Sequence, residues 1–215
     1  MNPTSPEREI FVQNAVKWSS NNFMSGHPDL HQKLAKIYWR EKNFTLAKFH
    51  FLYSRDSYGC ALMLIELHNN HGYSNEVELF IAQVVLQLLC LKKKSIASEI
   101  FEIYVSQHPK IDGGPPYVHP VLNFLSCLLN TIESRNYGLF TTICKQYTTC
   151  LTKDPCIIQY LDKVGHIFFK SKPSQGNHEG LLNSFLNSFF DGFSSDDTTS
   201  YQVNNTLLAQ VAELD

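Results

Sequence analysis

What the chain lacks narrows its function first. It has no excess of basic charge: Lys and Arg number 18 against 20 Asp and Glu, for a net charge of −2. Proteins that track a phosphate backbone carry clustered Lys and Arg, so nucleic acid is not an expected partner. Long hydrophobic runs are also missing. The longest, Val84 to Leu91, is broken by Gln87 and falls far short of the roughly 18 to 20 apolar residues that a membrane span needs. Direct membrane insertion is therefore not expected. The opening stretch MNPTSPEREIF has neither a basic nor an apolar segment, so it does not read as a secretory signal, and the cytosol is the expected location.

Signatures of bond chemistry are absent as well. The six cysteines, Cys60, Cys90, Cys127, Cys144, Cys150 and Cys156, form no CxxC pair, whereas a zinc site needs ligands paired at short spacing. Cys60, Cys90 and Cys127 lie in apolar stretches and are expected as reduced core residues. His27 and His31 are four residues apart, but no HExxH glutamate stands between them. His68 and His71 are expected to close a helix, where imidazoles meet free carbonyls. Gly113-Gly114-Pro115-Pro116 lacks the following Lys-Ser/Thr of a phosphate loop. Lys92-Lys93-Lys94 reads as positive charge at a helix C-terminus. No catalytic, cofactor-binding or metal residue is nominated, and the expected protein is not an enzyme.

What is present is helix. Hydrophobic residues make up 43% and charged residues 18%, a globular balance. Ser5-Pro6, Asp154-Pro155 and, more weakly, Gly26-His27-Pro28 mark helix starts. Asn75 to Glu78 has the spacing of a capping box. Apolar residues then recur at three and four: Phe11, Ala15, Trp18; Leu30, Leu34, Ile37, Tyr38; Phe44, Ala47, Phe51; and a broad stripe from Val77 to Leu89. Further helices are expected near Ser95–Gln107, His119–Ser134, Tyr137–Leu151 and Pro155–Lys170. No segment alternates with period two for long enough to make a strand.

Leu34-Ala35-x2-Tyr38 followed by Ala47-x3-Phe51 matches the small-and-aromatic spacing of a tetratricopeptide (TPR) helix pair, with small residues where two helices cross. Val84-Val85-x2-Leu88 followed by Ala97-x3-Phe101 echoes it after 50 residues, against the roughly 34-residue period of regular repeats. The expected fold is therefore all-α: an irregular TPR-like α-solenoid of stacked antiparallel helix pairs. Residues 1–170 would form it, interrupted near the middle by the Gly/Pro-rich stretch HPKIDGGPPYVHP. Residues 171–215 are expected to hold a linker, an apolar helix near 180–193 and a flexible polar and acidic tail.

Helix pairs without an active-site constellation usually present a protein-binding surface. The segments SPEREIFVQNAVKWSS, GHPDLHQKLAKIYWREKNFTLAKFHFLYS, VELFIAQVVLQLLCLKKKSIAS, HPKIDGGPPYVHPVLNFL and DPCIIQYLDKVGHIFF, in this order, closely resemble the Golgi-to-ER-traffic protein 4 family. Its members are also called the transmembrane-domain recognition complex subunit of the tail-anchored protein pathway. The resemblance implies a non-enzymatic cytosolic adaptor for post-translational targeting of tail-anchored membrane proteins to the ER. Such an adaptor bridges a ubiquitin-like and BAG-family chaperone complex to a targeting ATPase.

The resemblance also implies that Met1 falls midway along the family's solenoid. The helix pairs that contact the ATPase would then be missing, which puts ATPase binding in question but leaves binding of the ubiquitin-like protein and the BAG-family scaffold expected. Phe11, Val12 and Trp18 are candidates for an apolar edge exposed at this end. The alternatives are a generic helical-repeat interaction module and a helical repeat that binds nucleic acid. The main partner contact is placed on Lys110–Val118 and the helix after it. Ile111, Pro115, Pro116, Tyr117 and Val118 would supply apolar contact, and Leu122 and Phe124 would line a groove behind them.

Overall fold

A computed structural model describes residues 6–22 and 25–169 of the chain. Ten α-helices follow one another among these residues: α1 (Pro6–Trp18), α2 (Pro28–Arg40), α3 (Phe44–Tyr53), α4 (Ser57–His71), α5 (Val77–Cys90), α6 (Lys94–Gln107), α7 (Pro120–Ser134), α8 (Tyr137–Gln146), α9 (Thr148–Leu151) and α10 (Pro155–Phe169). The described residues hold no strand. The fold is the expected all-α solenoid. The linker, apolar helix and tail expected over 171–215 lie outside the described residues.

The helix starts follow local chemistry. Prolines open α1, α2, α7 and α10, where their missing N–H leaves nothing unsatisfied. Asn43, Asp56 and Asn136 cap α3, α4 and α8 by accepting from the amides of Leu46, Gly59 and Leu139. At the α5 start the expected box does not form. Glu76, not Glu78, reaches back, accepting from the Tyr73 amide at 3.0 Å, and a short 3-10 turn (Ser74–Glu76) precedes the helix. Glu78 has been recruited elsewhere.

Three helical hairpins, α2–α3, α5–α6 and α7–α8, turn through one left-handed residue each: Lys42 (φ 60°), Lys92 (φ 58°) and Arg135 (φ 51°). In the first two the turn closes identically. The amides of Lys42 and Asn43 donate to the carbonyls of Trp39 and Tyr38, and those of Lys92 and Lys93 to Leu89 and Leu88, each at 2.9 Å. This is the Schellman closure, which satisfies the last carbonyls of a helix. The step from Lys42 to Lys92 equals that from Ala47 to Ala97, so the 50-residue echo is a true structural repeat. Ala47 and Ala97 are fully buried, as close helix crossing requires.

α5 is the central helix, packing against α6, α7 and α10. Surrounded in this way, it buries Val77, Ile81, Val84, Val85, Leu86, Leu88 and Leu89 completely, which explains its nearly continuous apolar sequence. Gln87, the polar break, donates to Tyr160 Oη on α10 at 2.8 Å. Cys60 and Cys144 are buried and Cys90 half-buried, but Cys127 is exposed on α7, contrary to its expected core position. The buried stripe of α7 runs through Phe124, Leu125, Leu128 and Leu129, and residue 127 points away from it.

α1 differs from the rest. It buries no residue and is held to α2 by an Arg8–Glu41 ion pair at 2.8 Å, with the Arg8 guanidinium over the Tyr38 ring. Ile10, Phe11 and Trp18 stay exposed, Trp18 at 81%. Val12, grouped with them above, is instead half-buried.

Candidate functional site

Between α6 and α7 the chain leaves the helical stack as a loop, residues 108–119. Its take-off is fixed at His108, which ends α6 with its amide on the Tyr104 carbonyl and accepts the Ile111 amide on its own carbonyl. Ile111 turns inward and is buried. Gly113 then takes φ 75°, a left-handed conformation that favours glycine. A Cβ at Gly113 or Gly114 would meet nothing within 4 Å, so the tip stands clear of the protein.

The far end is held harder. Asn123, on the first turns of α7, clamps the backbone of Tyr117: its Oδ1 accepts the Tyr117 amide and its Nδ2 donates to the Tyr117 carbonyl, both at 2.7 Å. The Tyr117 ring stands edge-on to Phe101 of α6 with centroids 6.2 Å apart. The N-terminus of α7 is capped from another helix. Glu78 on α5, 2% exposed, accepts the Val121 amide at 2.8 Å and pairs with Lys153 at 3.2 Å. A carboxylate there meets both an orphan amide and the positive end of the helix dipole.

The nominated residues therefore divide. Pro115, Pro116 and Val118 are exposed, Val118 at 87%. Tyr117 is half-buried against Phe101, and Ile111 packs into the core. Leu122 and Phe124 are fully buried, so they line no groove; they are core residues under the loop, because α7 is packed by both α5 and α8. The reachable apolar surface is thus Pro115, Pro116, Val118 and one edge of Tyr117. Two prolines restrict its backbone, and the Pro115–Pro116 peptide is cis.

Sequence reasoning missed what holds this loop: Asn123, Glu78 and a contact between His68 and His108. His68 lies in the last turn of α4, as expected, and meets a carbonyl there. It is buried, with Nε2 3.0 Å from the Tyr73 carbonyl and Nδ1 2.9 Å from His108 Nε2. A second buried pair joins His31 and His50 through their Nδ1 atoms at 2.9 Å, with His31 Nε2 on the Ser25 carbonyl. His31 accordingly shares no metal-binding face with His27, which caps α2.

Burial pushes the imidazoles of His50 and His108 down, to about 3 and about 4, and the thiols of Cys60 and Cys144 up to about 12. These shifts hold the groups neutral inside packing and activate no nucleophile. Among the described residues no cluster of three or more His, Cys, Asp or Glu could hold a metal ion. No helix among them is long and apolar enough to cross a membrane.

The sequence profile of the family described as Golgi to ER traffic protein 4 matches residues 1–190. The chain belongs to the Golgi to ER traffic protein 4 family. It is similar to the Golgi to ER traffic protein 4 homolog of Xenopus tropicalis, 45% identical over 208 residues, covering 96% of this chain and 64% of that one. Its likeness to the human homolog is 45% over 199 residues, covering 92% and 61%, and to that of Bos taurus 47% over 190 residues, covering 87% and 58%. The chain thus spans less than two thirds of the length of the curated Golgi to ER traffic protein 4 relatives it matches. Its fold is similar to the crystal structure of C. therm. Get4, with a TM-score of 0.73 at 21% identity, covering 95% of this chain and 69% of that one.

Proposed function

We propose that the chain is a non-enzymatic cytosolic adaptor in the post-translational delivery of tail-anchored membrane proteins to the ER, and that the 108–119 loop is its main docking element. Membership of the Golgi to ER traffic protein 4 family carries this reading. The loop geometry supports the placement, because a restricted, outward-facing apolar segment loses little conformational entropy on docking. The partners that fit are the ubiquitin-like protein of the pathway and a BAG-family scaffold.

Surface variants test this without disturbing the core. Val118→Asp together with Pro116→Ser should weaken binding of the purified ubiquitin-like partner at least tenfold by calorimetry, while far-UV circular dichroism stays unchanged. Apolar hot-spot contacts typically contribute about 2 kcal/mol or more. Unaltered affinity would sink the placement. Leu122→Ala is unsuitable here, because truncating a fully buried leucine costs stability.

A further inference from the structure

The His68–His108 contact has a proton balance that can be read from geometry. The Tyr73 carbonyl only accepts, so the His68 Nε2 that lies 3.0 Å away carries the ring proton. His68 Nδ1 is therefore a lone pair, and His108 Nε2, 2.9 Å away, must donate to it. His108 Nδ1 in turn accepts the Lys110 amide at 3.1 Å. Each ring has one proton, and all four nitrogens are used. An added proton has no acceptable place. On His68 it faces the His108 N–H; on His108 it faces the Lys110 N–H.

Among the described residues no carboxylate pairs with either imidazole. α6 contributes the Tyr104 ring and α5 the edge of Phe80. Lys110 on the loop and His119 ahead of α7 oppose positive charge on His108, as does His68 itself. The Glu76 carboxylate bonds the Tyr73 amide, not either imidazole. The His31–His50 pair joins α2 to α3 and bonds the Ser25 carbonyl ahead of α2, far along the chain from the candidate docking loop, whereas His108 begins that loop. The Asn123 clamp at the other end contains no titratable side chain.

We propose that the His68–His108 pair is a latch that holds the take-off of the 108–119 loop only while His108 is neutral. Uptake of a proton frees the loop before the helices unfold. At neutral pH the latch is shut and the loop is presented in one conformation. Its bearing on partner binding rests on the docking role proposed above; the latch itself does not.

Amide hydrogen exchange on the chain alone tests it. The amides of Lys110 and Ile111 both bond to His108. Corrected for intrinsic exchange, their protection should fall by up to about tenfold per pH unit between pH 6 and 4.5, because opening takes up one proton. Amides in the middle of α5 should hold theirs. His108→Gln should flatten the slope. A pH-independent wild-type profile overturns the latch, as does a fall in step with α5. A slope that survives in His108→Gln also overturns it, and if that variant does not fold, the wild-type comparison decides.

Discussion

Replacing Glu78 probes the structural logic of the loop most sharply. The carboxylate is 2% exposed, sits 2.8 Å from the Val121 amide and is the cap of α7. Glu78→Ala removes a charge-assisted hydrogen bond, worth about 1.5–3 kcal/mol, and strands an amide whose desolvation costs about 1–3 kcal/mol. These figures overlap, since both describe the loss of one contact. The Lys153 partner has a half-exposed side chain, so solvent screens that pair and it contributes about 1 kcal/mol at most. The expected loss is about 2–4 kcal/mol. Glu78→Gln keeps an oxygen acceptor for the Val121 amide and loses only the charge at the helix terminus, an expected cost of about 1–2 kcal/mol. Urea unfolding with linear extrapolation measures both variants. A Glu78→Ala loss under about 0.5 kcal/mol would refute the cap, and so would a Gln variant as damaging as the Ala.

Three further outcomes follow from other parts of the fold. Lys92 is exposed and left-handed at φ 58°, so Lys92→Gly should stabilise by about 0.5–1 kcal/mol, the relieved backbone strain less the entropy that glycine adds to the unfolded chain; a destabilised variant in denaturant unfolding contradicts this. The folded-state values of His50 and His108 lie below the ordinary 6.5, so the unfolded chain binds more protons as pH falls. Stability should be full above about pH 6.5 and decline towards pH 4, by up to about 1.4 kcal/mol per pH unit for each imidazole; a urea midpoint that does not change between pH 7 and 5 contradicts it. The exposed Ile10, Phe11 and Trp18 on α1 should drive concentration-dependent self-association that Trp18→Glu reduces, and a clean monomer at high concentration in sedimentation velocity counts against this.

Much of the fold could be read from sequence because its determinants are local. Prolines at first helical positions and the 50-residue echo act within a few residues or along one helix face. The loop was equally plain, since Gly113, Gly114, Pro115 and Pro116 cannot continue a helix. Its supports were not, because they are tertiary. Glu78 meets Val121 43 residues away and His68 meets His108 40 residues away, and nothing local distinguishes them from an ordinary surface glutamate or helix-end histidine. Leu122 and Phe124 follow the loop closely in sequence, which suggests groove residues. Their own apolar spacing along α7 agreed better with the core position the structure gives them.

The account's central claim is that the 108–119 loop is where a partner docks. Hydrogen-exchange footprinting of the chain at neutral pH, with and without the purified ubiquitin-like partner, tests it directly. Docking at the loop predicts added protection over residues 110–120 and little change across α2 and α3. Protection elsewhere, with the loop unchanged in the bound state, would contradict it.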